Sequence, residues 1–436
     1  MAFLYKPLAT VFLASGLLHA TAVYADSADM SRLQQQVSAG NSQAAWTQAQ
    51  SMRNQWESDP TFDFLYGSLA LANGNPHEAL FALERVLAQE NGNVQARFLL
   101  GKALYQAGDK ENASKQFAAV LNSNPPPAVR REAESYLGKT STGKNVINGY
   151  IEANVGHDNN INSATGANSV ITANGTVIDI NPDAQKMSDM YSLSKAGVDF
   201  FHPLSSNTIV EVKGRFAERD NFSSDMYDTT SYRGSVGLRH QAGSDLFRVT
   251  LTAQDFRLSD SDYQRLMGIN GDWVHPLVSN LSLLTNVYAN SIRYAGSSGS
   301  QRDLNQYIGH IGLQLTDGEF THTTGFMLGD EDTLRDSGDF NARTFTALYY
   351  DVRYNLAAEH QLFGRVYVQD SHANGEDPTF KQTKDTLLKQ ISAGYAWQLT
   401  QHWRWKSELG YNDSDSDISY NSFNRTFVQT GVRYSF

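Results

Sequence analysis

The chain has 436 residues, no cysteine and a net charge of −11, and only 40% of it is hydrophobic. Those figures exclude disulfide frameworks, thiolate metal sites and a bundle of apolar membrane helices, and an acidic chain without a basic stripe has no means of displacing counterions from nucleic acid. Yet 21 tyrosines and 22 phenylalanines accompany a mean hydropathy of −0.44, the balance of a membrane barrel, whose wall needs apolar groups only at alternate positions.

Residues 1–25 read as a cleaved secretory signal. Lys6 supplies the cationic start, an apolar run follows from Leu8 to Leu18, and Val23 and Ala25 are the small residues before cleavage. The run is shorter than the roughly 20 residues that a spanning helix needs, so the expected destination is the periplasm.

Residues 26–140 read as a periplasmic helical domain. Apolar positions follow the helical period, and the segment repeats. Gly40, Gly74 and Gly108 are spaced by 34 residues, as are Ala45, Ala79 and Ala113. Gly67 with Gly101, Leu83 with Phe117, Val86 with Val120 and Leu87 with Leu121 keep the same step. A 34-residue period with small residues at helix crossings is the tetratricopeptide (TPR) pattern. Such arrays bind extended segments on a concave face, which in the usual register contains Phe64, Ser68, Leu71, Gln95, Phe98, Lys102 and Tyr105, the candidate cargo-binding residues. Pro125, Pro126 and Pro127 are expected to stop the helices, with a linker over Gly138 to Lys144.

Residues 141–436 read as an all-β transmembrane barrel of about 14 antiparallel strands. Strand-like runs lie near 145–157, 189–201, 208–219, 227–240, 246–258, 263–275, 281–293, 304–315, 319–330, 340–356, 360–370, 385–399, 403–411 and 422–436. Short and long connections alternate, as periplasmic turns and external loops do, and an even count returns both termini to one side. One turn, His202-Pro203-Leu204, recurs as His275-Pro276-Leu277, and proline's missing N–H is expected to keep both copies outside the strands. The first loop, 158–188, is the longest. Its apolar stretches Val170-Ile171 and Val177-Ile178 are compatible with an inward fold, an external hairpin or a grip on a partner.

Strand parity predicts which charges face the lumen. Glu211, Lys213 and Arg215 oppose Val210, Val212 and Phe216; Arg248 opposes Phe247 and Val249; Arg365 opposes Val366; Arg404 and Glu408 oppose Trp403 and Leu409. An Arg or Lys turned to mid-bilayer costs about 2–4 kcal/mol, so these belong inside, as transport contacts or as cross-strand ion pairs. In the last strand, Val428, Val432, Tyr434 and Phe436 share one face and Arg433 lies on the other. Tyr434 and the terminal Phe436 are the expected signal for barrel-assembly machinery.

No cofactor or metal set is expected. Asp413-Ser414-Asp415-Ser416-Asp417 begins like a calcium loop, but Ile418 replaces its turn glycine and Asn424 its bidentate glutamate. Asp330, Glu331, Asp332, Asp336 and Asp339 read as a second acidic loop. No spacing brings a nucleophile, base and acid together, so an enzyme is not expected.

The first barrel strand opens Gly149-Tyr150-Ile151-Glu152-Ala153-Asn154-Val155-Gly156-His157 and runs into Asp158-Asn159-Asn160-Ile161-Asn162. This segment, with the order of signal, TPR-like helices and barrel, resembles the surface lipoprotein assembly modulator (Slam) family, outer-membrane components of type XI secretion. The resemblance implies a translocon that delivers a periplasmic protein, either a surface lipoprotein or soluble cargo, to the surface or medium. It also implies a place among short members of the family active in host association. The expected partners are the cargo protein, the outer-membrane bilayer and the barrel-assembly machinery. Two other readings stay open, a surface receptor or adhesin barrel and a TPR-linked exopolysaccharide export porin.

Overall fold

Helices form the first part of the chain and strands the second. The computed structural model describes residues 28–123, 125, 127–140, 145–205, 207–278, 280–296 and 299–436, so the expected signal segment 1–25 lies outside the described residues. The helices are α1 (Ala28–Ser38), α2 (Ser42–Trp56), α3 (Pro60–Ala72), α4 (Pro76–Gln89), α5 (Val94–Gln106), α6 (Lys110–Asn122) and α7 (Pro127–Thr140). None is long and apolar enough to cross a membrane.

The 34-residue spacing acquires a physical cause in three features. Gly40, Gly74 and Gly108 adopt φ of 73°, 75° and 89°, the left-handed turn that ends the first helix of each pair and favours glycine. Ala45, Ala79 and Ala113 are fully buried where paired helices cross. A Cβ on Gly67 would sit 2.8 Å from Leu83 Cγ, and one on Gly101 2.8 Å from Phe117 Cε1, so only glycine admits these side chains. Side-chain caps fix several starts: Asp59 accepts from Phe62 N at 2.9 Å, Asn93 from Ala96 N at 2.9 Å and Asp109 from Asn112 N at 3.1 Å. Full burial of Leu83 and Phe117 is worth about 1.5–3 kcal/mol each.

Helix α7 corrects the sequence reading of 125–144. Pro127 does not end a helix but occupies the first position of one, where its missing N–H costs nothing. Gly138, expected in a linker, lies inside α7. Helix α3 starts at Pro60, α5 at Val94 and α7 at Pro127, so α7 stands as the first helix of a fourth, unfinished repeat.

The barrel strands are β1 (Val146–Asp158), β4 (Asp189–Pro203), β5 (Thr208–Asn221), β6 (Thr229–Ala242), β7 (Asp245–Leu258), β8 (Ser261–Val278), β9 (Leu281–Tyr294), β10 (Leu304–Asp317), β11 (Phe320–Thr333), β12 (Arg343–Asn355), β13 (His360–Glu376), β14 (Thr383–Gln398), β15 (Trp403–Ser416) and β16 (Phe423–Ser435). These fourteen pair antiparallel in chain order and close where β1 meets β16, from Tyr150 opposite Ser435 to Asp158 opposite Phe427. Exposed apolar residues alternate along the outer face, among them Ile147, Ile151 and Val155 on β1, Val249 and Leu251 on β7, and Val428 and Val432 on β16. Paired rings rim that belt at the short-turn end: Phe320 with Tyr354 (4.4 Å between centroids), Trp403 with Tyr434 (5.0 Å) and Tyr395 with Trp405 (5.7 Å). A closed wall with an apolar belt and an aromatic rim is an outer-membrane-type barrel.

Two expectations fail at strand ends. Pro203 is the last residue of β4, and Pro276 lies within β8, beside a register shift before Val278. A strand end and a bulge both spare proline the donor it lacks. Asp330, Glu331 and Asp332 likewise belong to β11 rather than to a loop. In the first connection the apolar stretches pair with each other as β2 (Ser169–Ile171) and β3 (Val177–Asp179), leaving Ile171, Val177 and Ile178 exposed.

Candidate functional site at the barrel mouth

The expected groove residues divide by burial. Ser68, Leu71 and Phe98 are buried and hold helices together, so none of the three presents an open surface to cargo. Phe64 is half-buried against the same core, and Gln95 is half-buried. Lys102 and Tyr105 are covered in part by α7: Lys102 Nζ lies 3.0 Å from Glu132 Oε1 and 5.6 Å from the Tyr136 ring, and Tyr105 meets that ring edge-on at 5.4 Å. Burial pushes the Tyr136 hydroxyl above its ordinary 10.0, with Lys102 opposing the shift. Helix α7 therefore completes the array instead of leaving its last pair open.

The opposite side of α7 meets the barrel. Glu134 lies against Arg239 of β6, which also donates to the Glu134 carbonyl oxygen at 3.3 Å, and stands 3.8 Å from Arg248 of β7. Both arginines share Glu211 of β5, Arg239 at 3.2 Å and Arg248 at 3.6 Å, and Lys213 reaches the same carboxylate at 2.8 Å. At the end of α6, Arg404 of β15 donates to the Ser123 carbonyl oxygen at 2.9 Å and to Gln361 Oε1 at 3.1 Å. β7 lies six strands from β15 one way round the ring and eight the other. Ser123 and Glu134 thus touch widely separated parts of the mouth at the short-turn end. A second attachment lies outside the lumen, where Gly92 approaches Glu359 and the Gln398 carbonyl so closely that a Cβ would collide with Glu359.

Register places the remaining predicted lumen residues on the face opposite the apolar belt, and each is engaged. Arg215 pairs with Asp199 at 2.5 Å, Arg365 with Asp351 at 3.4 Å, Arg433 with Glu152 at 2.5 Å and Glu408 with Lys406 at 2.8 Å. The first three pairs join neighbouring strands, whereas Glu408 and Lys406 belong to the same strand, β15. Among the register-paired positions of that inner face, fourteen carry Arg or Lys and nine carry Asp or Glu. An acidic chain therefore encloses a cationic lumen. Most of its basic residues lie on β4–β7, β12, β15 and β16, whereas β9 and β10 offer two hydrogen-bonded pairs, Asn290 with Gln306 and Asn286 with His310.

At the other end, the Asp158-Asn159-Asn160 segment is a clasp. Asp158 is fully buried, bound by Arg425 of β16 (2.5–3.1 Å) and Arg219 of β5 (3.1 Å), while Asn160 donates to the Asn424 carbonyl oxygen at 2.8 Å. Asn159 Oδ1 accepts from Thr426 N at 2.7 Å. Asp413, in the segment that begins like a calcium loop, lies on β15, 3.5 Å from Lys389. Among the described residues no group of three or more His, Asp or Glu is placed to hold a metal. Tyr434 packs on Trp403, and Phe436 exchanges two backbone bonds with Gly149 at 2.9 Å.

Residues 70–131 match the Tetratricopeptide repeat family. The helical region thus contains a tetratricopeptide repeat, and the match includes the start of α7. No curated protein matches the chain. Solved structures similar to it in fold include outer-membrane expressed OmpT of Vibrio cholerae, with 11% identity, 68% of this chain and 98% of that one covered, and a TM-score of 0.38. The outer membrane channel DcaP of Acinetobacter baumannii has 10% identity, 67% and 97% coverage and a TM-score of 0.41. A bacterial polysaccharide outer membrane secretin has 9% identity, 66% and 98% coverage and a TM-score of 0.35.

Sequence reasoning missed Arg239 and Glu134, which organise the mouth. Parity alone would have placed Arg239 inside, one step from Leu238. Nothing in the spacing signals Glu134, because its partners are about a hundred residues away.

Proposed function

We propose that the chain is a non-enzymatic outer-membrane translocon, in which a periplasmic TPR array receives a specific protein and passes it to the barrel for delivery to the surface or medium. The observation that carries this reading is the continuity of the array with the pore, since α7 packs on the repeats and sets Glu134 against β6 at the lumen mouth, while Ser123 at the end of α6 meets β15. A TPR array is a module for binding polypeptide, and seating its last helix on a cationic lumen supports transfer of cargo from one to the other. In this reading Phe64, Gln95, Lys102 and Tyr105 lie along the receiving path and Arg215, Arg365 and Arg433 along the lumen. The barrel-assembly machinery would read Tyr434 and Phe436. The chain would act as a type XI secretion component in the manner of the Slam family that its Asp158-Asn159-Asn160 segment resembles, with host association as the setting. The exposed apolar edge of the β2–β3 hairpin favours a second reading, a surface receptor.

The deciding experiment compares surface, supernatant and periplasmic proteomes of cells with and without the gene. A protein that leaves the surface or medium and accumulates in the periplasm is the cargo. An unchanged exported proteome overturns the translocon reading.

A further inference from the structure

The mouth contacts share a chemistry beyond ion pairing. Arg239 binds the Glu134 side chain and also its main-chain carbonyl, and Arg404, across the opening, binds the main-chain carbonyl of Ser123. Two of these contacts are therefore to peptide carbonyls and one is to a carboxylate. Within ion-pair distance Arg239 and Arg248 have two carboxylates among the described residues, Glu211 from the wall and Glu134 from α7, and Asp272 stands across the strands from Arg248. The wall partner is fixed, whereas the other arrives on a separate element. Arg404 has no carboxylate within ion-pair distance among the described residues, and Arg433 is its direct cross-strand neighbour. The rim thus carries an excess of guanidinium, partly satisfied by a helix that is not part of the barrel.

We propose that this rim is a binding site for acidic segments of polypeptide and that α7 occupies it as an internal stand-in, with Glu134 in the place of an incoming carboxylate. The inference rests on the export reading for its biological sense and names the chemistry of the cargo segment that engages the pore. Guanidinium forks suit carboxylates, and the carbonyl contacts distinguish a peptide from an inorganic anion, which offers nothing equivalent. An acidic stretch delivered along the array exchanges with Glu134, frees α7 from Arg239 and Arg248, and opens the mouth. Without such a stretch the helix stays seated, and the lumen is closed to small solutes.

The test uses the full-length protein reconstituted in planar lipid bilayers, with oligoglutamate, oligolysine or inorganic phosphate added on the side of the array. Wild-type conductance is expected to be low and to rise with oligoglutamate but with neither of the others. Removing one partner of a buried pair shifts its equilibrium by about tenfold or more, so Glu134→Gln should raise the open-to-closed ratio by at least that factor without peptide. Glu134→Asp, which keeps the charge, should still respond to oligoglutamate. Heat-modifiable migration in gels verifies that each barrel is folded. Failure of oligoglutamate to open the wild type, an equal effect of oligolysine, or an unchanged Glu134→Gln channel overturns the proposal, and an equal effect of phosphate overturns its assignment to peptide. Proteome comparison of deleted and intact cells judges the export reading separately, since that result does not depend on Glu134.

Discussion

Asp158 should be the most consequential single carboxylate for barrel closure. It is fully buried at the long-loop end of the seam, with Arg425 Nε 2.9 Å from one oxygen and Arg425 Nη2 2.5 Å from the same atom. Arg219 Nη2 lies at 3.1 Å, and Asn160 N donates to the other oxygen at 3.0 Å. Replacing Asp158 by Asn keeps the shape but removes the charge both guanidiniums share, and the amide presents one acceptor instead of two. Breaking a buried pair costs about 3–5 kcal/mol, and the 16% and 23% exposure of the two arginine side chains places this case near the lower figure. A loss of about 3 kcal/mol is roughly a hundredfold in the folding equilibrium. Equilibrium urea unfolding in lipid vesicles, followed by tryptophan fluorescence, reads it directly. Arg425→Gln and the double variant complete a cycle, whose coupling should exceed about 1 kcal/mol. A change below about 0.5 kcal/mol for Asp158→Asn, or additive effects in the cycle, would refute the clasp.

Other outcomes follow from the same geometry. Gly101→Ala and Gly67→Ala force a Cβ to 2.8 Å from Phe117 and Leu83 and should each destabilise the array by about 1–3 kcal/mol, read as lost hydrogen-exchange protection in α3–α6 of the full chain. Leu251→Arg, on the exposed belt, should cost about 2–4 kcal/mol of barrel stability, whereas Thr252→Arg one residue on should cost far less; equal effects would invalidate the facing. Burial, and next the nearby Glu90 carboxylate, raise the Glu359 carboxyl above its ordinary 4.5 where the array rests on the β12–β13 turn. The seated state then holds that proton more tightly, so the contact is strongest below pH 4.5 and weakens as pH rises through the raised value. Glu359→Gln should flatten that profile in hydrogen exchange of the α4–α5 loop.

Periodicity made most of the architecture readable. The 34-residue step is a consequence of three glycines at positive φ and two at helix crossings, and each leaves a visible mark in sequence. The period of two in the strands is enforced by lipid on one side, so parity located Glu211, Arg248 and Arg404 on the inner face. Single-residue chemistry was harder to read. Proline lacks a donor whether it ends a helix or begins one, so Pro127 carried no sign of which role applied. A bulge leaves no mark in composition, so nothing in the sequence admits Pro276 to its strand. Ion pairs between α7 and the wall join segments that share no period, and only the folded chain brings Glu134 to Arg239.

The unfinished fourth repeat imposes an order on biogenesis. Helix α7 ends at Thr140 and β1 begins at Val146, so the array is tethered by a few residues to the strand that must await β16. Helical pairs make local contacts and can form as soon as they are synthesised, whereas β1 and β16 meet only when the whole chain is present. The seat for Glu134 of α7 comes from the consecutive strands β5–β7, whereas Arg404, which holds Ser123 at the end of α6, comes from β15 across the ring. A half-built barrel can therefore hold Glu134 but not Ser123, and only the closed ring grips the array from both sides of its mouth.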